Sequence, residues 1–94
     1  MEKLINFFLI EVFMAKEHKV LLYRTSTCIW CHRAEEFFNQ KKVKFESIWV
    51  DKDHKMAQEM VKKSGQLGVP VIDIDGKIII GFDLESIKKA LEIK

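Results

Sequence analysis

Apolar and polar positions alternate between two regimes along this chain. Val20-Leu21-Leu22-Tyr23 is an unbroken apolar run and predicts a buried strand over Lys19 to Arg24. Ala34, Phe37, Phe38 and Lys41 then recur at helical spacing, which predicts a helix from about Cys28 to Lys42. Val43 to Val50 alternates well enough for a second strand. Met56, Ala57, Met60, Val61 and Ser64 fall on one face of a second helix, with Asp51 or Asp53 as its cap and Gly65 as its stop. Val71 to Ile74 and Lys77 to Ile80 read as strands joined by Asp75-Gly76, a pair suited to a two-residue hairpin turn. Gly81-Phe82-Asp83 turns the chain again, and Asp83 caps a last helix bearing Leu84, Ile87 and Leu91.

The order is β-α-β-α-β-β-α. A right-handed crossover makes the first two strands parallel, and the hairpin makes the last two antiparallel. The expected architecture is α/β, a four-stranded mixed sheet flanked by helices. Trp49 and the Met56/Met60 stripe are assigned to the core, and His54 to a solvated first turn.

Residues 1 to 13 are strongly apolar and precede a natural-looking start at Met14. As a helix they would set Ile5, Phe8, Leu9, Val12 and Phe13 on one face, opposite Glu2, Lys3 and Asn6. Residues 1 to 15 are read as an extension whose role stays open, and 16 to 94 as the domain. Glu11 within the apolar run, a start without net positive charge and the lack of a small-x-small site argue against a secretory signal.

Composition narrows the function classes. Ninety-four residues make one domain, and a net charge of +2 with lysines scattered in pairs gives no basic stripe for nucleic acid. No apolar run reaches the roughly 18 residues that a membrane span requires. Two cysteines are too few for the disulfide framework of a small secreted protein, so a reducing, cytoplasmic setting is expected.

Those two cysteines carry the chemistry. Cys28-Ile29-Trp30-Cys31 lies where a strand hands over to a helix, with Cys28 at or just before the first turn. Backbone N–H groups there lack intrahelical partners and the macrodipole adds partial positive charge, which together favour a thiolate. His32 and Arg33 stand within a turn of it. Cys31, one turn further in, is expected to be more buried and less acidic, yet close enough to form a disulfide with Cys28. The pair reads as a dithiol redox site, with an outer attacking and an inner resolving cysteine.

Thr27-Cys28-Ile29-Trp30-Cys31, Gly68-Val69-Pro70-Val71 and Ile80-Gly81-Phe82-Asp83 together resemble the glutaredoxin-like branch of the thioredoxin superfamily over roughly residues 18 to 94. The resemblance implies a thioredoxin-like fold, Cys28 as nucleophile and Cys31 as resolving cysteine. It also implies that Pro70 is a cis-proline beside the dithiol, and that Val69 offers its backbone to an extended substrate. Gly81 and Asp83 match the segment where glutaredoxins hold one end of glutathione. Trp30 is read as a partly exposed contact for protein substrates.

The chain departs from the pattern at Ile29, where glutaredoxins carry proline, and at Ile80, where they carry a glycine. Thr25 stands where they place lysine, with Arg24 beside it, and Phe82 follows Gly81. Gly81-Phe82 instead resembles redoxins that feed ribonucleotide reductase and are recharged by thioredoxin reductase. The expectation is a monomeric dithiol–disulfide oxidoreductase without a tightly bound cofactor. Its expected substrates are protein or small-molecule disulfides, with ribonucleotide reductase one candidate client, and its reductant is glutathione or thioredoxin reductase.

Three other readings share these residues. Cys28 to His32 is also C-x-x-C-H, the attachment motif of c-type haem, with His32 as axial ligand and Met56 or Met60 on the far side. The β-α-β surroundings argue against it. Zinc would need two further regularly spaced ligands, which His18 and His54 do not supply. A thioredoxin-fold binding module with an idle dithiol is the remaining contrast, and the presence of both cysteines with Pro70 speaks against it.

Overall fold

A computed structural model describes residues 18 to 93; the reading of residues 1 to 15 as an extension lies outside them. The elements are β1 (Val20–Arg24), α1 (Ile29–Gln40), β2 (Glu46–Trp49), α2 (His54–Ser64), β3 (Val71–Ile74), β4 (Lys77–Ile80) and α3 (Leu84–Leu91). They form one sheet in the order β2-β1-β3-β4. β1 runs parallel to β2 and antiparallel to β3, and β3 is antiparallel to β4. The expected β-α-β-α-β-β-α order and mixed sheet are those observed.

Strand side chains alternate between the two faces of the sheet, and both faces are covered. Val20, Leu22, Ile72, Ile74 and Ile79 pack with Ala34 and Phe38 of α1 and with Ile87 and Leu91 of α3. On the opposite face Tyr23 and Val71 pack with Met60 of α2, flanked by Leu21, Ile48 and Ile78. The central strands are therefore apolar at nearly every position. This burial on both faces is why β1 and β3 read as continuous runs rather than as an alternation.

Each boundary has a local cause. Asp53 rather than Asp51 caps α2, its Oδ1 accepting from the Lys55 and Met56 backbone N–H groups. Gly65 ends that helix at φ 77°, a left-handed conformation that glycine adopts without steric cost. Asp75 and Gly76 both take positive φ, 54° and 90°, as a two-residue hairpin turn requires. His18 and the Lys19 backbone N–H hold the Asp75 carboxylate in place, keeping its acid below the usual range. Lys63 donates to the Tyr23 hydroxyl at 2.6 Å and to Asp73 at 2.8 Å, a network that satisfies two buried polar groups on the α2 face.

Two expectations are corrected. Trp49 is not core: it is 38% exposed, because β2 is an edge strand, and Met56 at the open start of α2 is only half-buried and lies outside both apolar clusters. β2 is also shorter than expected, starting at Glu46, since Val43 is drawn back to close α1 by donating its N–H to the Phe38 carbonyl. Ile87 and Leu91 are buried as expected, whereas Leu84 at the helix start is exposed. His54 is exposed, in keeping with a solvated first turn.

Candidate active site

The site is assembled at the end of the sheet where β1 finishes and β3 begins. Tyr23 pairs with Val71 in the antiparallel β1–β3 ladder, so the segment after β1 and the segment before β3 share that end. The first carries the cysteines and the second carries Pro70. The turn before Cys28 is tied down by Ser26, whose backbone N–H and hydroxyl both donate to Asp51 Oδ2, at 3.0 and 2.7 Å. Asp51 follows β2, so the redox turn is fastened to the neighbouring parallel strand.

Cys28 is the N-cap of α1. Its backbone is extended (φ −83°, ψ 111°), and its Sγ accepts the Cys31 backbone N–H at 3.1 Å. Sulfur thus takes the place usually held by a serine or aspartate oxygen, satisfying one of the helix's unpaired donors. That hydrogen bond strengthens when the sulfur is an anion.

Cys31 is fully buried, and both cysteines are free thiols. Burial is the main cause that pushes the Cys31 thiol up to about 12, and the hydrogen bond and charge of Cys28 push the same way. A hydrogen bond from the Thr25 backbone and the positive charge of Arg24 pull in the opposite direction. The expectation that Cys31 is the inner, more buried of the two sulfurs agrees with this geometry.

The other predicted residues fall around this pair. The Val69–Pro70 peptide is cis, and Gly81 donates its N–H to the Pro70 carbonyl at 2.8 Å. Phe82 lies 6.4 Å from the Trp30 ring and 6.2 Å from Phe37, centroid to centroid, so the loop after β4 is packed onto α1. Trp30 itself is 54% exposed. Asp83 is set slightly apart: its carboxylate is engaged as the α3 cap, accepting from the Ser86 N–H and hydroxyl. His32 and Arg33 are turned to other partners, His32 to Glu36 at 3.8 Å and Arg33 to the Trp30 ring at 5.3 Å.

Sequence reasoning missed one group. Arg24 is only 5% exposed, and its guanidinium contacts Glu35 of α1 at 2.6 Å and stacks 4.2 Å over the Trp49 ring. Ser47 donates to the same Glu35 oxygen at 2.6 Å. Burial alone would raise the Glu35 carboxyl, but the hydrogen bonds from Ser47 and Arg24, with the charges of Arg24 and His32, hold it below its usual value. The available signal was parity: Arg24 shares the inward face of Val20 and Leu22 on a strand with no solvent face.

The sequence profile of glutaredoxins matches residues 20–79. The chain belongs to the glutaredoxin family. A glutaredoxin-like 8.6 kDa protein from the rubredoxin operon of Clostridium pasteurianum, itself uncharacterized, is 42% identical over 73 residues, spanning 78% of this chain and 97% of that protein. Glutaredoxin 3 of Escherichia coli K12 is 39% identical over 64 residues, 68% of this chain and 77% of that protein. The crystal structure of a glutaredoxin from Archaeoglobus fulgidus superposes with a TM-score of 0.72 at 32% identity, covering 85% of this chain and 92% of that one. Membership in the glutaredoxin family and the thioredoxin-like fold make thiol–disulfide chemistry the context of the Cys28–Cys31 pair. Among the described residues, no helix is long and apolar enough to cross a membrane.

Proposed function

We propose that this chain reduces disulfides through a two-step exchange at Cys28 and Cys31. The observation that carries the reading is the contrast between the two sulfurs: Cys28 caps a helix and accepts a backbone N–H, while Cys31 is fully buried with its thiol pushed up to about 12. The Cys28 thiolate attacks one sulfur of a substrate disulfide, forming a mixed disulfide and releasing the first substrate thiolate. Cys31 then gives up its proton and attacks Cys28 Sγ. The Cys28–Cys31 bond forms, the bond to substrate breaks, and the second thiolate leaves with the electron pair and takes up a proton. An external reductant returns two electrons to the enzyme.

The substrates proposed are disulfides presented by an extended segment, which Val69 can pair through its backbone in front of cis-Pro70. Exposed apolar side chains adjoin the site residues in the chain: Ile29 and Trp30 after Cys28, Leu67 before Gly68, Ile80 before Gly81. Such a rim favours a protein client over a doubly carboxylated tripeptide. Arg24 is committed to Glu35 and uncharged Thr25 stands where related proteins carry lysine, which favours thioredoxin reductase over glutathione as the electron source. The rubredoxin-operon setting of the Clostridium relative supports a role among other electron carriers.

An NADPH-consumption assay on a small disulfide tests the reading when coupled in parallel to thioredoxin reductase and to glutathione with glutathione reductase. Turnover with thioredoxin reductase is expected. Turnover with glutathione alone would reassign the reductant, and silence in both arms would overturn the enzymatic reading.

A further inference from the structure

The resolving step sets an electrostatic problem: a thiol buried away from water must become an anion. The two segments of α1 and β1 that meet beneath the dithiol contain one buried cation. Arg24 ends β1 on the face covered by α1, the face of Val20 and Leu22. Cys31 and Glu35 are one turn apart on α1, so they lie on one side of that helix, and Glu35 reaches Arg24 at 2.6 Å. The guanidinium is therefore anchored on the same side of α1 as the Cys31 sulfur. Its Nε also donates to the Thr25 carbonyl at 3.2 Å, which ties it to the turn that leads into Cys28. Ser47 on β2 holds Glu35 from the other side at 2.6 Å, and the Trp49 ring closes over the guanidinium at 4.2 Å. Three elements thus fix one buried charge.

We propose that Arg24, anchored by Glu35, Ser47 and Trp49, is a positioning residue for the second half-reaction, stabilising negative charge on Cys31 as it attacks the mixed disulfide. The proposal rests on the exchange mechanism above. An arginine suits this place because its guanidinium stays charged when buried, and its five donors can serve Glu35 and Thr25 together. Glu35 orients the cation but also offsets part of its charge. The remaining titratable groups near Cys31 are Cys28, which opposes its ionisation, and His32, which faces Glu36. Asp83, in the loop after β4, is turned to its own helix cap.

The two charges oppose one another, so their removal should have opposite effects. The probe is 5,5′-dithiobis(2-nitrobenzoate), followed by stopped flow over a pH series. Attack by Cys28 releases the first coloured thiolate in a concentration-dependent phase. Attack by Cys31 on the resulting mixed disulfide releases the second in a phase independent of reagent concentration. Arg24→Gln is expected to move the pH midpoint of the second phase upward and leave the first phase within about twofold. A displacement of one pH unit changes the thiolate fraction about tenfold and, after the opposing change in nucleophilicity, the rate about threefold. Glu35→Gln, which keeps an acceptor for Arg24 and Ser47, is expected to move the midpoint downward and speed the second phase at neutral pH.

A purely structural role would slow both variants without moving the midpoint, and that result would overturn the proposal. If Arg24→Gln does not fold, Glu35→Gln decides alone: a midpoint that stays fixed or rises contradicts it. Release of one coloured thiolate rather than two from one equivalent of reagent would instead count against the exchange mechanism itself.

Discussion

Gly81 donates its backbone N–H to the Pro70 carbonyl at 2.8 Å while holding φ at 80°. This one contact joins the loop after β4 to the cis peptide, and Phe82 carries the same loop onto Trp30 and Phe37 of α1. The loop therefore couples the cis peptide to the helix that Cys28 caps and Cys31 sits on.

A side chain at position 81 tests that coupling. A Cβ there would meet nothing within 4 Å, so the cost of Gly81→Ala is conformational rather than steric. The left-handed region disfavours an L-residue by about 1–2 kcal/mol. Chemical denaturation of Gly81→Ala is expected to show a loss of that order. A variant as stable as the parent would mean that the loop relaxes freely and does not hold Pro70.

Cys31 makes a prediction about pH. Its thiol is raised in the folded protein from 9.0 to about 12, so the fold retains a proton that the unfolded chain gives up. The stability associated with that protonated thiol is complete below pH 9 and falls as pH rises towards 12. The oxidised protein has no thiol to ionise. The stability advantage of the oxidised over the reduced form should therefore widen between pH 9 and 11, as thermal melts at matched pH would record. A gap that stays constant would contradict the burial argument.

Phe38 of α1 is fully buried in the larger core with residues of β1, β3 and α3, and is in ring contact with Phe37 and Phe45. Phe38→Ala is expected to cost about 3–5 kcal/mol, much of the stability of a domain this size. Circular dichroism and urea titration would record a large drop in midpoint. A drop under about 1 kcal/mol would show that the site collapses to fill the void.

Most of the architecture could be read from the sequence because local signals agreed with one another. Asp75-Gly76 specified a turn with two positive φ angles, Gly65 a left-handed stop, and the β3 and β4 runs their own limits. The Cys28–Cys31 spacing, placed after an apolar strand, specified the helix cap. Pro70 gave its cis peptide only through family resemblance, since nothing local to Val69-Pro70 requires it.

What escaped the sequence depended on contacts between distant elements. Trp49 is large and apolar, but its burial turns on β2 being an edge, and no local pattern states strand order. Arg24, Glu35 and Ser47 come from three elements and meet only after the β1–β2 register sets Arg24 beside Trp49 and Leu22 beside Ser47. Individually each reads as an ordinary polar position.

The central claim is the division of labour between the two sulfurs, and trapping the intermediate tests it most directly. Cys31→Ser and Cys28→Ser variants would each be mixed with a small disulfide and examined by intact mass and peptide mapping. Cys31→Ser is expected to accumulate a single mixed disulfide located at Cys28, and Cys28→Ser to accumulate none and to lose all turnover. A Cys28→Ser protein that still forms an adduct at Cys31, or still turns over disulfides, would contradict the account.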